Sequence, residues 1–284
     1  MSVIQVCVLA VIQGFAELLP ISSSAHVVVA EKLMGLDPSA PPLTLLLVLL
    51  HTGTMFAVIV YFWRQWRGSY FQSLEAFRRI VLLVFVATVL TGGIGYGLAK
   101  IVVMLYLRST PNAAVEHLFG HLGLIAPALF AVGVVIIAAY ALDRKIAKVQ
   151  QITVRQCVVI GIVQGLCLPF RGFSRSGATI SAGMLSGVEK TAAEAFSFAL
   201  AVVLTPPVVV REVLRLRSHD AAMTGAQMHS VIGLDLLGAV LAFGAGLIAL
   251  KWLSAWLERG RWYYFGVYCL VAAIGVEGLH HAGF

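Results

Sequence analysis

Six stretches of this chain stay apolar for about as long as a helix needs to cross a lipid bilayer, which takes roughly 20 residues. They lie at residues 42–63, 80–99, 122–142, 190–210, 231–250 and 262–279. The chain has a mean hydropathy of +0.93 and 12% charged residues, whereas a soluble domain carries about 25%. The sequence therefore predicts an all-α integral membrane protein with about six full transmembrane helices.

Two further apolar segments, at about 2–36 and 152–188, are each interrupted by a polar island. The islands read QGFAELLPISSSAH at 13–26 and QGLCLPFRGFSRSGAT at 164–179. They are copies of each other, and with a one-residue insertion the aligned pairs are Gln13 with Gln164, Gly14 with Gly165, Ser22 with Ser174 and Ser24 with Ser176. Broken backbone at membrane depth is tolerated only where protein or a water-filled cavity surrounds it. Each segment is predicted to be a re-entrant helix-turn-helix unit.

Three predicted full spans separate the two re-entrant units, so the units enter the membrane from opposite faces. This arrangement is an inverted repeat, with units at about 2–142 and 152–279, in which a site lies near the midplane at the repeat interface. No linker or soluble segment divides the chain, so residues 1–284 are predicted to form one polytopic membrane domain.

Basic residues are distributed unevenly between the two faces of this predicted topology. One face carries twelve, namely Arg64, Arg67, Arg78, Arg79, Arg144, Lys145, Lys148, Arg155, Lys190, Lys251, Arg259 and Arg261. The other face carries six, namely Lys32, Lys100, Arg108, Arg211, Arg215 and Arg217. The positive-inside rule assigns the richer face to the cytoplasm and both termini to the other side. These residues form no basic run with interleaved aromatics, so nucleic acid is not a predicted partner.

The islands combine groups suited to binding an anion. In the first, Gln13 and Glu17 are four residues apart and share a helix face, and serines precede the returning helix with His26 one turn later. Serines at that place are predicted to cap the helix, and its N-terminus attracts anions. The second island repeats the serines and adds Arg175, whose guanidinium binds phosphate oxygens in a fork. Single serines and glycines in membrane helices are often packing residues, but the duplicated cluster predicts a phosphate pocket.

The residues ELLPISSSAH at 17–26 and GFSRSGAT at 172–179 resemble the two signature motifs of the bacterial undecaprenyl-diphosphate phosphatase family, also called the bacitracin-resistance proteins. The resemblance extends to HTGT at 51–54, AFSF at 195–198 and nearly the whole chain. It implies a multi-pass enzyme of the bacterial inner membrane that converts the polyprenyl diphosphate lipid undecaprenyl diphosphate to undecaprenyl phosphate and inorganic phosphate. It also implies recycling of the cell-wall carrier lipid and dependence on a divalent cation.

The resemblance assigns roles to residues at the matching positions. The implied catalytic residues are Glu17, Ser23, His26 and Arg175. The predicted substrate-binding residues are Gln13, Ser22, Arg171, Gly172, Ser174, Ser176 and Thr179. Glu17 is the predicted metal ligand, for Mg²⁺ or Ca²⁺. Two positions depart from the family pattern: Gln13 stands where Glu is commoner, and Arg171 stands where Pro is usual.

The sequence allows more than one interpretation of the chemistry and of the function. The nucleophile is Ser23, His26 or a metal-bound water, and the oligomeric state is not readable. His51 lies inside a predicted span, so it is a candidate for a supporting role in the site or for helix packing. An inverted repeat with paired re-entrant loops is also transporter architecture, so a polyprenyl-phosphate transporter is the alternative. A receptor-like or assembly protein with a vestigial pocket is a third possibility, against which the intact motifs argue.

Overall fold

The computed structural model describes residues 1–37, 41–106, 122–143, 146–219 and 225–283. Within these ranges the chain is helical, and one isolated bridge pairs Val149 with Val188. The helices are α1 Val3–Leu18, α2 Ser23–Leu33, α3 Pro41–Ser69, α4 Leu74–Tyr106, α5 Leu122–Asp143, α6 Val154–Cys167, α7 Arg175–Leu185, α8 Lys190–His219, α9 Gly225–Glu258 and α10 Tyr263–His281.

Five segments in the described ranges are long and apolar enough to cross a membrane. They are Leu45–Ser69 in α3, Leu74–Leu105 in α4, Leu122–Asp143 in α5, Gly233–Glu258 in α9 and Tyr263–His281 in α10. This finding confirms the helical membrane class. The remaining predicted span, 190–210, falls in α8, which is not among the five. A sixth crossing therefore stays a prediction.

Both predicted helix breaks are present. Residues 19–22 separate α1 from α2, and residues 168–174 separate α6 from α7. At the first break Ser22 has a φ of 69°, which is uncommon for a residue with a side chain. At the second, Gly172 has a φ of 102°, and a Cβ there would lie 2.5 Å from the Ile125 carbonyl oxygen. Glycine is required at this position by its backbone conformation and by its close approach to α5.

The predicted serine caps differ between the two returning helices. The Ser174 hydroxyl accepts a hydrogen bond from the Gly177 backbone N–H at 3.2 Å and so caps α7. Ser22 occupies the corresponding place before α2, but its side chain makes no capping bond. Ser22 is thus the N-cap residue, as predicted, but it lacks the capping hydrogen bond, because it adopts a left-handed rather than an extended conformation.

Each broken pair packs through a glycine against a long helix. A Cβ at Gly14 of α1 would lie 2.7 Å from the Ala242 carbonyl oxygen on α9. A Cβ at Gly165 of α6 would lie 3.0 Å from the Thr91 carbonyl oxygen on α4. Small residues allow such close helix approach in membranes, where packing rather than water drives association. Of the breaks themselves, the first contacts α10 through Pro20 and the second contacts α5 through Gly172.

Candidate active site

Glu17, in the last turn of α1, is the carboxylate around which the first island is arranged. One of its oxygens, Oε1, accepts a hydrogen bond from Arg175 Nη2 at 2.7 Å. The other, Oε2, accepts from Ser23 Oγ at 2.5 Å and from Gln13 Nε2 at 3.3 Å. The side chain is 14% exposed. A buried carboxylate is stabilised in its charged form by an opposite charge and by hydrogen-bond donors, and Glu17 has both.

Arg175, the first residue of α7, brings the second island to this carboxylate. Its Nη2 binds Glu17, whereas its Nη1 is buried and has no hydrogen-bond partner within the described residues. Buried guanidinium donors normally have partners. An unpaired donor beside a carboxylate-bound one leaves half of the guanidinium fork available to an acceptor, and phosphate oxygens match that fork geometry.

His26 lies one turn into α2 and contacts a different helix. Its Nδ1 is 2.8 Å from the Ser22 carbonyl oxygen, and its Nε2 is 2.6 Å from the hydroxyl of Tyr268 on α10. The two rings are stacked, with centroids 5.6 Å apart and an interplanar angle of 17°. No hydrogen bond or ion pair between His26 and Glu17 occurs in the described structure.

His51 on α3 approaches Glu17 at Oε2, whereas Arg175 binds the other carboxylate oxygen, Oε1. Its Nε2 is 3.6 Å from Glu17 Oε2, and its Nδ1 is 2.7 Å from the Leu47 carbonyl oxygen. The sequence offered His51 either a supporting role in the site or a packing role. Its position places it at the site, next to the principal carboxylate.

The other predicted serine and threonine residues make contacts within the protein. Thr179 Oγ1 donates to the Arg175 carbonyl oxygen at 2.8 Å and is 2.6 Å from Ser197 Oγ, in the AFSF segment. Ser176 Oγ is 3.5 Å from the Leu19 carbonyl oxygen, which joins the second island to the first break. Both side chains are buried. They hold the first turn of α7, which carries Arg175, and the substrate-binding role predicted for them is untested.

Arg171 and Gly172 form the tip of the second break. Arg171 is half-buried and interacts electrostatically with Glu31, a fully buried residue of α2. The two islands therefore meet at one ion pair, Glu17 with Arg175, and the charge of Arg171 in the second island also acts on Glu31 of α2. This second interaction was not predicted, because Glu31 lies outside the recognised motif.

Sequence reasoning also missed Tyr268. It is one of eight tyrosines in the chain, it sits in an apolar span, and it belongs to neither island. No spacing in the sequence connects it with His26, since only the packing of α10 against the first break brings them together. Cys269, the next residue, shows that packing through an Sγ contact of 3.4 Å to the Pro20 carbonyl oxygen.

The side chains around Glu17 determine whether the predicted cation could bind there. Among the residues that the structure describes, no group of three or more His, Cys, Asp or Glu side chains is able to hold a metal. The Ser23 hydroxyl and the Gln13 amide lie beside Glu17. A flip of the amide would turn its oxygen, instead of its nitrogen, toward the carboxylate. These are hard oxygen donors, which suit Mg²⁺ or Ca²⁺ if substrate phosphate oxygens complete the coordination.

Comparisons with known proteins cover almost the entire chain. The family model described as bacitracin resistance protein BacA matches residues 6–275. Undecaprenyl-diphosphatase 2 of Acinetobacter baylyi is 54% identical over 274 residues, which are 95% of either chain. Undecaprenyl-diphosphatases of Mycobacterium sp. (strain KMS) and of Korarchaeum cryptofilum are 34% and 30% identical, over 97% and 98% of this chain and 96% and 100% of the relatives.

Proposed function

Since this chain belongs to the family of the bacitracin resistance protein BacA, we propose that it is an undecaprenyl-diphosphatase. It is a multi-pass membrane phosphatase that hydrolyses undecaprenyl diphosphate to undecaprenyl phosphate and inorganic phosphate. The observation that carries this proposal is the Glu17 carboxylate, whose two oxygens bind Ser23 and Arg175, the first residues of two returning helices. The curated relatives are named as diphosphatases, and nothing supports the transporter alternative.

The finer topology is part of the proposal. It has six full spans, with α1–α2 and α6–α7 as re-entrant units of an inverted repeat in the bacterial inner membrane and both termini outside the cytoplasm. Support comes from packing: α1 lies on α9, and α6 lies on α4, each through the aligned glycines Gly14 and Gly165. Since α4 and α9 are the corresponding helices of the two units, each broken pair packs on the other unit's equivalent span.

Arg175 binds the terminal phosphate in the proposed mechanism. Charge in phosphoryl transfer spreads over the three equatorial oxygens, so catalysis depends on positioning and on charge stabilisation. The unpaired Nη1 of Arg175 supplies a donor for one of these oxygens. Its bond to Glu17 through Nη2 keeps the guanidinium plane in place before substrate arrives.

Ser23 is the nucleophile favoured by the geometry. Its hydroxyl donates to Glu17 Oε2, and Arg175 and Gln13 orient that carboxylate, so nucleophile, base and orienting groups are in contact. Ser23 Oγ attacks the terminal phosphorus while its proton passes to Glu17. The bond to the bridging oxygen breaks, undecaprenyl phosphate leaves, and water then hydrolyses the phosphoserine to inorganic phosphate and serine.

We also propose that the site binds a divalent cation. Glu17, with the oxygens of Ser23 and Gln13, would hold Mg²⁺ or Ca²⁺ together with substrate phosphate. Such a cation supplies positive charge close to the phosphoryl group when bound. Arg175 positions the phosphate and Glu17 accepts the Ser23 proton. Both of these steps are carried out by side chains of the protein.

The test is phosphate release by purified protein from undecaprenyl diphosphate, with and without a chelator. We expect turnover by the native chain and none by Ser23→Ala. Acid quenching during turnover, followed by mass spectrometry, is expected to show phosphoserine at residue 23, since phosphoserine survives acid and phosphohistidine does not. Movement of an uncleavable analogue across vesicles without phosphate release would instead favour transport.

A further inference from the structure

Tyr268 contacts the site through His26, by its hydroxyl and by stacking of the two rings. Its hydroxyl is 2.6 Å from His26 Nε2, a short distance for a hydrogen bond. The ring itself is 45% exposed, so burial of its apolar area contributes little to holding it there. The neighbouring Cys269 contacts the Pro20 carbonyl oxygen, and this contact keeps α10 against the first break. The specific interaction of Tyr268 is therefore the one with His26.

The partners of His26 determine which of its nitrogens carries hydrogen. Nδ1 faces the Ser22 carbonyl oxygen at 2.8 Å, and a carbonyl can only accept, so Nδ1 carries the proton. In the neutral ring Nε2 is then the acceptor, and the Tyr268 hydroxyl donates to it. The left-handed backbone of Ser22, with φ of 69°, presents this carbonyl to His26. Unusual backbone conformations of this kind concentrate at functional sites.

We propose that Tyr268 is a positioning residue: its hydroxyl donates to the unprotonated Nε2 of His26, which stabilises the tautomer with hydrogen on Nδ1 and fixes the orientation of the ring. This inference rests on the proposed phosphatase function. Ser22, in the first break, and Tyr268, on α10, contact the two nitrogens of one ring, and hydrogen bonds of this kind set the tautomer of an acid-base histidine. His26 is thereby prepared for proton transfer during hydrolysis of the phosphorylated serine.

The proposal is tested with Tyr268→Phe, which removes the hydroxyl and keeps the stacked ring. Tyr264→Phe is the matched control, one turn earlier on α10 and equally exposed.

In the native protein labelled with ¹⁵N-histidine, we expect the Nε2 resonance of His26, assigned with His26→Gln, to be that of an unprotonated nitrogen. It should move in Tyr268→Phe and stay in Tyr264→Phe. We also expect kcat to fall on the order of tenfold with a nearly unchanged KM, the effect of losing one hydrogen bond at an acid-base group.

A double variant separates positioning from packing. In a His26→Ala background, Tyr268→Phe should cost no further activity, because its partner is already gone. An unchanged His26 resonance in Tyr268→Phe, or a full additional loss in the double variant, would overturn the proposal. The resonance does not depend on turnover, so it still reports on Tyr268 if phosphate release fails and the proposed function is the part that is wrong.

Discussion

The two islands are copies in sequence, yet they give the site opposite charges. Ser23 and Arg175 occupy aligned positions as the first residues of α2 and α7, and each binds one oxygen of the same carboxylate, Glu17. The flanking serines keep the same local contact in both copies, at 3.3 Å between Ser22 and Ser24 and 3.4 Å between their counterparts. The two copies thus share one local arrangement, in which one copy presents a hydroxyl and the other a guanidinium.

The helices that lead into the islands diverged further. In α1, Gln13 and Glu17 face the site and bind each other. In α6 the aligned Gln164 instead donates to Thr91 of α4 at 3.0 Å, and Leu168 occupies the place of Glu17. The first copy therefore carries the carboxylate of the proposed active site, whereas the second copy uses the same positions for packing. Substitutions at aligned positions should accordingly differ in kind: activity is affected in one copy and stability in the other.

Glu17→Gln should have the largest effect. The amide cannot accept the Ser23 proton and places an NH₂ group against Arg175 or Ser23, so both halves of the site are lost at once. We expect kcat to fall on the order of a thousandfold, at the upper end for removal of one electrostatic group from an active site. Phosphate release by detergent-purified protein measures it. Substantial residual turnover would show that the carboxylate between the islands is structural.

Arg175→Lys tests the other half of the comparison. Lysine keeps the positive charge but replaces the planar fork with one ammonium nitrogen, so it lacks the two separate nitrogens with which arginine binds Glu17 and a phosphate oxygen in a fixed geometry. We expect turnover to fall about tenfold or more. Arg155→Lys, at the exposed start of α6, is the matched control and should remain active. Near-normal activity of Arg175→Lys would assign the guanidinium to packing.

Gln164→Ala should act on stability rather than on chemistry. The side chain is fully buried and its bond to Thr91 joins α6 to α4; hydrogen bonds between membrane helices contribute about 1 kcal/mol. We expect a lower thermal unfolding temperature in detergent with turnover per folded molecule within about twofold. Gln13→Ala, the aligned change, should show the reverse pattern. Equal effects from both would mean that the two copies had not divided these roles.

Whether a feature of the fold or of the site could be predicted from the sequence depends on the kind of contact that forms it. The helix breaks were predicted from Pro20 and Pro169. Glu17 and Arg175 were predicted to share a site because charged groups are costly at membrane depth, and the structure pairs them. The partners of Thr179 and Ser176 were not readable, because helical periodicity gives the face of a residue and not which neighbour lies there. Tyr268 and Glu31 were missed because their contacts exist only once α10 and the second break have packed, and no local pattern encodes that packing.

Gln13→Glu has the smallest expected effect and concerns the copy that carries the carboxylate. Gln13 now donates to Glu17 Oε2 at 3.3 Å, and a glutamate there would exchange that donor for a second negative charge one helical turn away. Two carboxylates on one face attract a hard cation more strongly than one does. We therefore expect a severalfold lower Mg²⁺ or Ca²⁺ concentration at half-maximal activity, about 1 kcal/mol in binding.

Gln164→Ala serves as the control, since it lies in the copy without a carboxylate and should leave the metal requirement unchanged. A metal requirement that does not respond to Gln13→Glu would remove the cation from Glu17 and leave Arg175, with Arg171, as the positive charge that the phosphate meets.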